Sequence, residues 1–138
     1  MRYVIAFLAL CGIVVSALAL HAHYYTGVEP CDINARWDCG IVNHSRYSMI
    51  HGVPVAIVGI AGYALIALCG FFRRRWLTLL FSLCGLGFAL HLSNIEAHVL
   101  EVWCLYCVIS QFLIAMISLL ALVALFIRPK AARTPQPV

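Results

Sequence analysis

Apolar residues gather into four long runs along the chain: Tyr3 to Leu20, Val53 to Phe72, Trp76 to Ile95 and Val102 to Ile127. An apolar helix needs roughly 20 residues to cross the hydrocarbon core of a bilayer, so each run is long enough to span. The pattern predicts helices at about 3–22, 53–72, 76–95 and 102–127. The fold class that follows is an all-α integral membrane protein, a four-transmembrane-helix bundle with one long outer loop between helices 1 and 2. That loop, His21 to Gly52, is the one long polar stretch; it carries Pro30 and the histidines His21, His23, His44 and His51. It is the expected working surface.

Composition strengthens this reading. Of 138 residues, 64% are hydrophobic and 10% charged, against about 25% charged in an ordinary soluble domain. Four crossings and a loop leave no room for a second domain, so residues 1–130 read as a single membrane domain and 131–138 as a short cytoplasmic tail. Seven of the nine basic residues, Arg2, Arg73, Arg74, Arg75, Arg128, Lys130 and Arg133, fall on one side of this topology. By the positive-inside rule that side is cytoplasmic, with both termini there. Glu29, Asp32, Asp38, Glu96 and Glu101 fall on the other side. The net charge of +4 does not point to nucleic acid, because the basic residues sit in short blocks beside apolar runs. A cleaved signal peptide over residues 1–22 is the rival reading, since Ala17-Leu18-Ala19 forms an A-x-A-like site. The 18-residue run is long for a signal core, and an uncleaved span is simpler.

Seven cysteines add the chemistry. Cys11, Cys69 and Cys84 lie within apolar runs, where a free cysteine behaves as a small buried hydrophobe. Cys31 and Cys39 in the loop, and Cys104 and Cys107 opening the fourth run, all fall on the outer, disulfide-permissive face. Cys104-Leu105-Tyr106-Cys107 is a C-x-x-C motif at a helix entrance, where free amide groups and the helix dipole favour a thiolate. A thiolate is the species that attacks disulfides. Cys31 and Cys39 could form a permanent staple or exchange with the C-x-x-C pair. A zinc site built from His21, His23, Cys31, Cys39 and His44 has poor spacing, so no metal is expected.

Electrons drawn from dithiols at a membrane need an acceptor, and no flavin, nicotinamide or haem motif is present. A lipid quinone fits, held between helices near the outer interface. Candidates for its lining are Ser45, Tyr47, Ser48, Tyr63, Asn94 and Gln111, the last one helical turn beyond Cys107. A non-catalytic membrane scaffold with structural disulfides is the alternative of a different class.

The residues also resemble the vitamin K epoxide reductase family, in a bacterial form without a fused thioredoxin-like domain. The likeness covers nearly the whole chain. It lies in the four spans, the Cys31 and Cys39 spacing, Cys39-Gly40 followed by Ser45-Arg46-Tyr47-Ser48 and Gly52-Val53-Pro54, and Cys104-Leu105-Tyr106-Cys107. The resemblance implies that Cys31 exchanges with a separate thioredoxin-like (DsbA-like) periplasmic protein and Cys39 resolves onto Cys104. Cys107 then faces the quinone, ubiquinone or menaquinone, beside Ser45. It also implies a bacterial inner membrane with the active cysteines on the periplasmic face. Animal members have a tyrosine where this chain has Gln111, and an asparagine where it has the stretch Val53 to Ala56. The implied role is therefore support of disulfide bond formation, with reduction of vitamin K or its epoxide as the alternative. Disulfide bond formation protein B, which is unrelated, uses similar parts but places its C-x-x-C pair first.

Overall fold

The structure is a computed structural model and describes residues 1–127. The tail expected at 131–138, with Arg128, Lys130 and Arg133, lies outside the described residues. Four long helices carry the fold: α1 (Arg2–Tyr24), α3 (Val55–Phe71), α4 (Arg75–Ile95) and α5 (Leu105–Phe126). The loop between α1 and α3 holds a short helix, α2 (Cys39–His44), and a two-stranded hairpin of β1 (Met49–Ile50) and β2 (Val53–Pro54). The long helices form a closed ring in which α1 packs on α3 and α5, and α4 packs on the same two. Arg2, Arg73 and Arg75 border one crevice with Met1 and Ala124, so the helix ends carrying these basic residues meet at one end of the bundle.

Why these residues pack as a bundle is clearest on α1. Its buried positions Ile5, Ala9, Gly12, Ser16, Ala19 and Ala22 recur every three or four residues, a single stripe of mostly small side chains. Small residues let helix backbones approach closely in lipid, where association relies on packing. The Tyr63 ring of α3 sits so close over Gly12 that a Cβ there would collide with it, and Gly59 of α3 faces Ser16 at similarly close range. Ile5, Ala9, Tyr63, Ile66, Ile114 and Ile117 complete a buried core. The outward faces are as apolar as the inside, with Phe7, Leu68, Leu80 and Phe112 all more than half exposed. That inversion suits a lipid surround. By length and composition α1, α5 and α4 with its continuation can each cross a membrane. The 17 residues of α3 give about 26 Å of helix, at the short limit for a span.

The helix limits differ from the sequence expectation for local reasons. Val53 and Pro54 belong to the hairpin, whose tight turn at His51 and Gly52 uses two positive φ angles, 49° and 82°, so α3 starts two residues later than 53. At the same end of the bundle α4 runs past Ile95 into a π-helical segment, Glu96–Leu100, which stops at Glu101 in the left-handed region. Val102 and Trp103 are therefore outside helix, and Cys104 is the N-cap of α5 with extended angles of φ −100° and ψ 120°.

The candidate redox centre

Two local hydrogen-bond systems shape the outer loop. The Asp32 carboxylate accepts from the backbone N–H of Glu29 (2.7 Å) and of Gly40 (3.2 Å), tying the two ends of the Cys31–Cys39 segment together. Desolvation acts to raise the Asp32 carboxyl, but these donors outweigh it and hold it below the usual carboxylate range. Asp38 caps α2 by accepting from Ile41 N–H at 2.9 Å. Cys31 and Cys39 are joined in a disulfide with Cα atoms 5.9 Å apart.

The loop is then laid over the start of α5 by backbone pairing. Trp103 N–H donates to Arg36 C=O at 2.7 Å, and Asp38 N–H donates to Trp103 C=O at 3.1 Å. The Trp37 and Trp103 rings lie side by side, 6.5 Å between centroids. This pairing brings Cys39 onto Cys104, Sγ to Sγ at 3.4 Å, although the two are 65 positions apart. Cys39 and Cys104 are fully buried and Cys31 nearly so.

Cys104 and Cys107 are both free thiols. Hydrogen bonding from the Cys107 side chain holds the Cys104 thiol below its usual range despite burial, and the backbone N–H groups of Cys107 and Tyr106 act in the same direction. A thiolate at Cys104 in contact with Cys39 is the geometry of thiol–disulfide exchange. The three-residue spacing turns Cys107 the other way, into a cavity of about 360 Å³ between the four long helices. Its walls are apolar, including Val15, Phe81, Phe88 and Leu92, with polar groups gathered near the loop end. That size and composition match a site for a small aromatic ligand with a few polar contacts.

Of the six residues expected to line a quinone site, Ser45, Tyr47, Ser48 and Tyr63 border this cavity together with Cys107. Ser45 and Ser48 donate their hydroxyl protons to the carbonyls of Val42 and Asn43, and Tyr63 donates to Ser110 C=O at 2.7 Å. These three therefore offer acceptors first. Gln111 and Asn94 are placed elsewhere: the Gln111 amide oxygen accepts from Ser93, and Asn94 is exposed outside the lining. The expectation that Cys11, Cys69 and Cys84 are buried is corrected, because Cys11 and Cys69 are half-buried and Cys84 is exposed and borders the cavity. In a bundle that faces lipid, an apolar position has no need to point inward. Among the described residues no three His, Cys, Asp or Glu side chains converge on a metal site.

Two residues of the centre escaped the sequence reading. Asn43 is buried and donates from Nδ2 to Cys39 C=O at 2.8 Å and toward Cys104 Sγ at 3.7 Å. Its signal was available, since four positions after Cys39 places it on the same helical face. Glu96 is 2% exposed, and its carboxylate accepts from Cys104 N–H at 3.2 Å. Its position depends on the π-helical segment and the turn at Glu101, neither of which is visible in an apolar pattern.

Comparison with known families gives one result: the model of the vitamin K epoxide reductase family matches residues 3–123. No curated protein matches the chain.

Proposed function

Since the chain belongs to the vitamin K epoxide reductase family, a family of membrane oxidoreductases linked to quinones, we propose that it relays electrons from a thioredoxin-like dithiol protein to a lipid quinone. The relay runs through Cys31 and Cys39, then Cys104 and Cys107, and supports disulfide formation in the bacterial periplasm. On this reading the cysteines face the periplasm, and the termini lie on the cytoplasmic side of the inner membrane. The observation that carries it is the 3.4 Å contact between Cys39 and Cys104 Sγ, with Cys107 turned into the cavity behind.

The steps follow from thiol chemistry. A partner thiolate attacks Cys31, Cys39 leaves as a thiolate, and the partner's second thiol frees Cys31. Cys39 then attacks Cys104 of a Cys104–Cys107 disulfide, and Cys107 leaves as a thiolate. Attack by Cys31 on Cys39 restores the loop disulfide and frees Cys104. That end state is the arrangement present here, a Cys31–Cys39 disulfide with Cys104 and Cys107 free. A bound quinone supplies the acceptor of two electrons and two protons as Cys104 and Cys107 close again. Ser45, Tyr47, Ser48 and Tyr63 would hold it beside Cys107.

The test is oxidation of a thioredoxin-like dithiol protein by the purified chain with ubiquinone or menaquinone. C104A and C107A abolish turnover. C31A and C39A abolish turnover with the protein donor and retain part of it with dithiothreitol. Full activity in C104A or C107A sinks the relay.

A further inference from the structure

The relay leaves one buried ionisable group at the centre without a task. Glu96 begins the π-helical segment after α4, is 2% exposed, and lines the same cavity as Cys107. One carboxylate oxygen accepts the Cys104 N–H at 3.2 Å, which holds the side chain at the start of α5 where the Cys107 thiol enters the cavity. Burying a carboxylate in an apolar bundle is costly. A neutral side chain would serve as a spacer at lower cost, and an amide would accept the Cys104 N–H equally well. What a carboxylate adds is the capacity to take and release a proton.

We propose that Glu96 is the proton relay of the quinone step, resting on the reading above. Closing a disulfide between the Cys104 and Cys107 thiols releases two electrons and two protons, and a quinone that becomes a hydroquinone takes up two of each. In this step Glu96 accepts the Cys107 proton as the sulfur gives up electrons, then passes it to the nearer quinone oxygen and returns to carboxylate. The Cys104 proton leaves toward the outer water when that thiolate forms against the loop. It is matched by one proton drawn from the outer water to the second quinone oxygen. Among the described residues that line the cavity, Glu96 is the one carboxylate.

The test uses E96Q, which keeps the size and the acceptor for Cys104 N–H but carries no exchangeable acid proton, with E96D as the conservative partner. In the full-length protein in micelles, E96Q lowers kcat for quinone reduction roughly 10²-fold, the scale of a positioned acid–base group. KM for quinone, and disulfide exchange between the loop pair and the Cys104–Cys107 pair, stay near wild type. E96D restores part of kcat. A second readout needs no quinone: infrared difference spectra between the dithiol and disulfide forms of Cys104 and Cys107 show a carboxyl band in wild type that is missing in E96Q. Turnover of E96Q within twofold of wild type overturns the proposal, as does equal loss of exchange and turnover, which would make Glu96 a support for Cys104. A wild-type protein that reduces no quinone overturns the relay reading itself, and the infrared band then decides separately whether Glu96 is coupled to the thiols.

Discussion

If the backbone pairing of Trp103 with Arg36 and Asp38 holds the loop over α5, Cys39 and Cys104 should cross-link once their competitors are removed. In C31A/C107A they are the two that remain of the four outer cysteines. Their sulfurs are 3.4 Å apart and a disulfide needs about 2.05 Å, so closure requires about 1.4 Å of sulfur travel, available from a small χ1 change at each cysteine. The new bond joins positions 65 apart, where the loop bond joins positions 8 apart. The chain-entropy gain scales as (3/2)RT ln of the loop length, so the ratio makes the longer cross-link up to about 1.9 kcal/mol more stabilising. Helices that persist in lipid when packing is lost place the gain below that ceiling. The assay is mild oxidation of the double variant, digestion with trypsin, which cuts at the exposed Arg36 and Arg46 as well as in the Arg73–Arg75 connector, and detection without reductant of the fragment bearing Cys39 joined to the fragment bearing Cys104. Near-complete linkage of the two fragments is the expected result. Fragments that separate without reductant, or a link that forms only after denaturant loosens the loop, would refute the geometry on which the relay depends.

Two further outcomes check other parts of the structure. Replacing Gly12 by leucine forces a side chain into the Tyr63 ring and should cost about 1–3 kcal/mol of stability by overpacking. Gly62, where an added Cβ would meet nothing within 4 Å, should accept alanine with no loss, and thermal unfolding in micelles separates the two. For pH dependence the sign follows from Cys104: a thiol held below its usual range by Cys107 forms thiolate at lower pH than a free cysteine, and C107A removes the first cause and moves that formation to higher pH. Ultraviolet thiolate absorption, read as the difference from C104A, measures this; an unmoved titration in C107A would dissociate the two thiols.

Much of the architecture is legible because the length of an uninterrupted apolar run is itself the physical requirement for crossing lipid. The expected spans and the observed helices agree to within about two residues at most ends. The misses have causes that an apolar pattern does not encode. Val53 and Pro54 are as apolar as the helix they precede, yet the turn at His51 and Gly52 claims them for a hairpin. Val102 reads as helix, yet Glu101 in the left-handed region breaks the chain before it. The fate of Cys84 shows the limit of treating apolar as buried, since the same side chain that would be core in water faces the cavity and surface here. The contact of Cys39 with Cys104 was implied by resemblance alone; the main-chain bonds of Arg36, Trp103 and Asp38 that place it carry no side-chain signature.

The C-x-x-C spacing gains a more specific meaning from where the helix begins. With both cysteines inside α5, their side chains would share one face and compete for one neighbour. Here Cys104 is the extended N-cap and Cys107 lies within the first turn, so the sulfurs are near each other while serving different surroundings. Cys104 meets the loop disulfide at 3.4 Å, and Cys107 borders the cavity. A helix beginning one turn earlier would carry Cys104 off the loop pairing of Trp103 and place both thiols on the cavity side. The left-handed Glu101, which ends the π-helical segment and lets Val102 and Trp103 run extended, thus fixes the division of labour between two thiols only three positions apart. A substitution that lets α4 continue through this turn would separate exchange from the cavity without touching any cysteine.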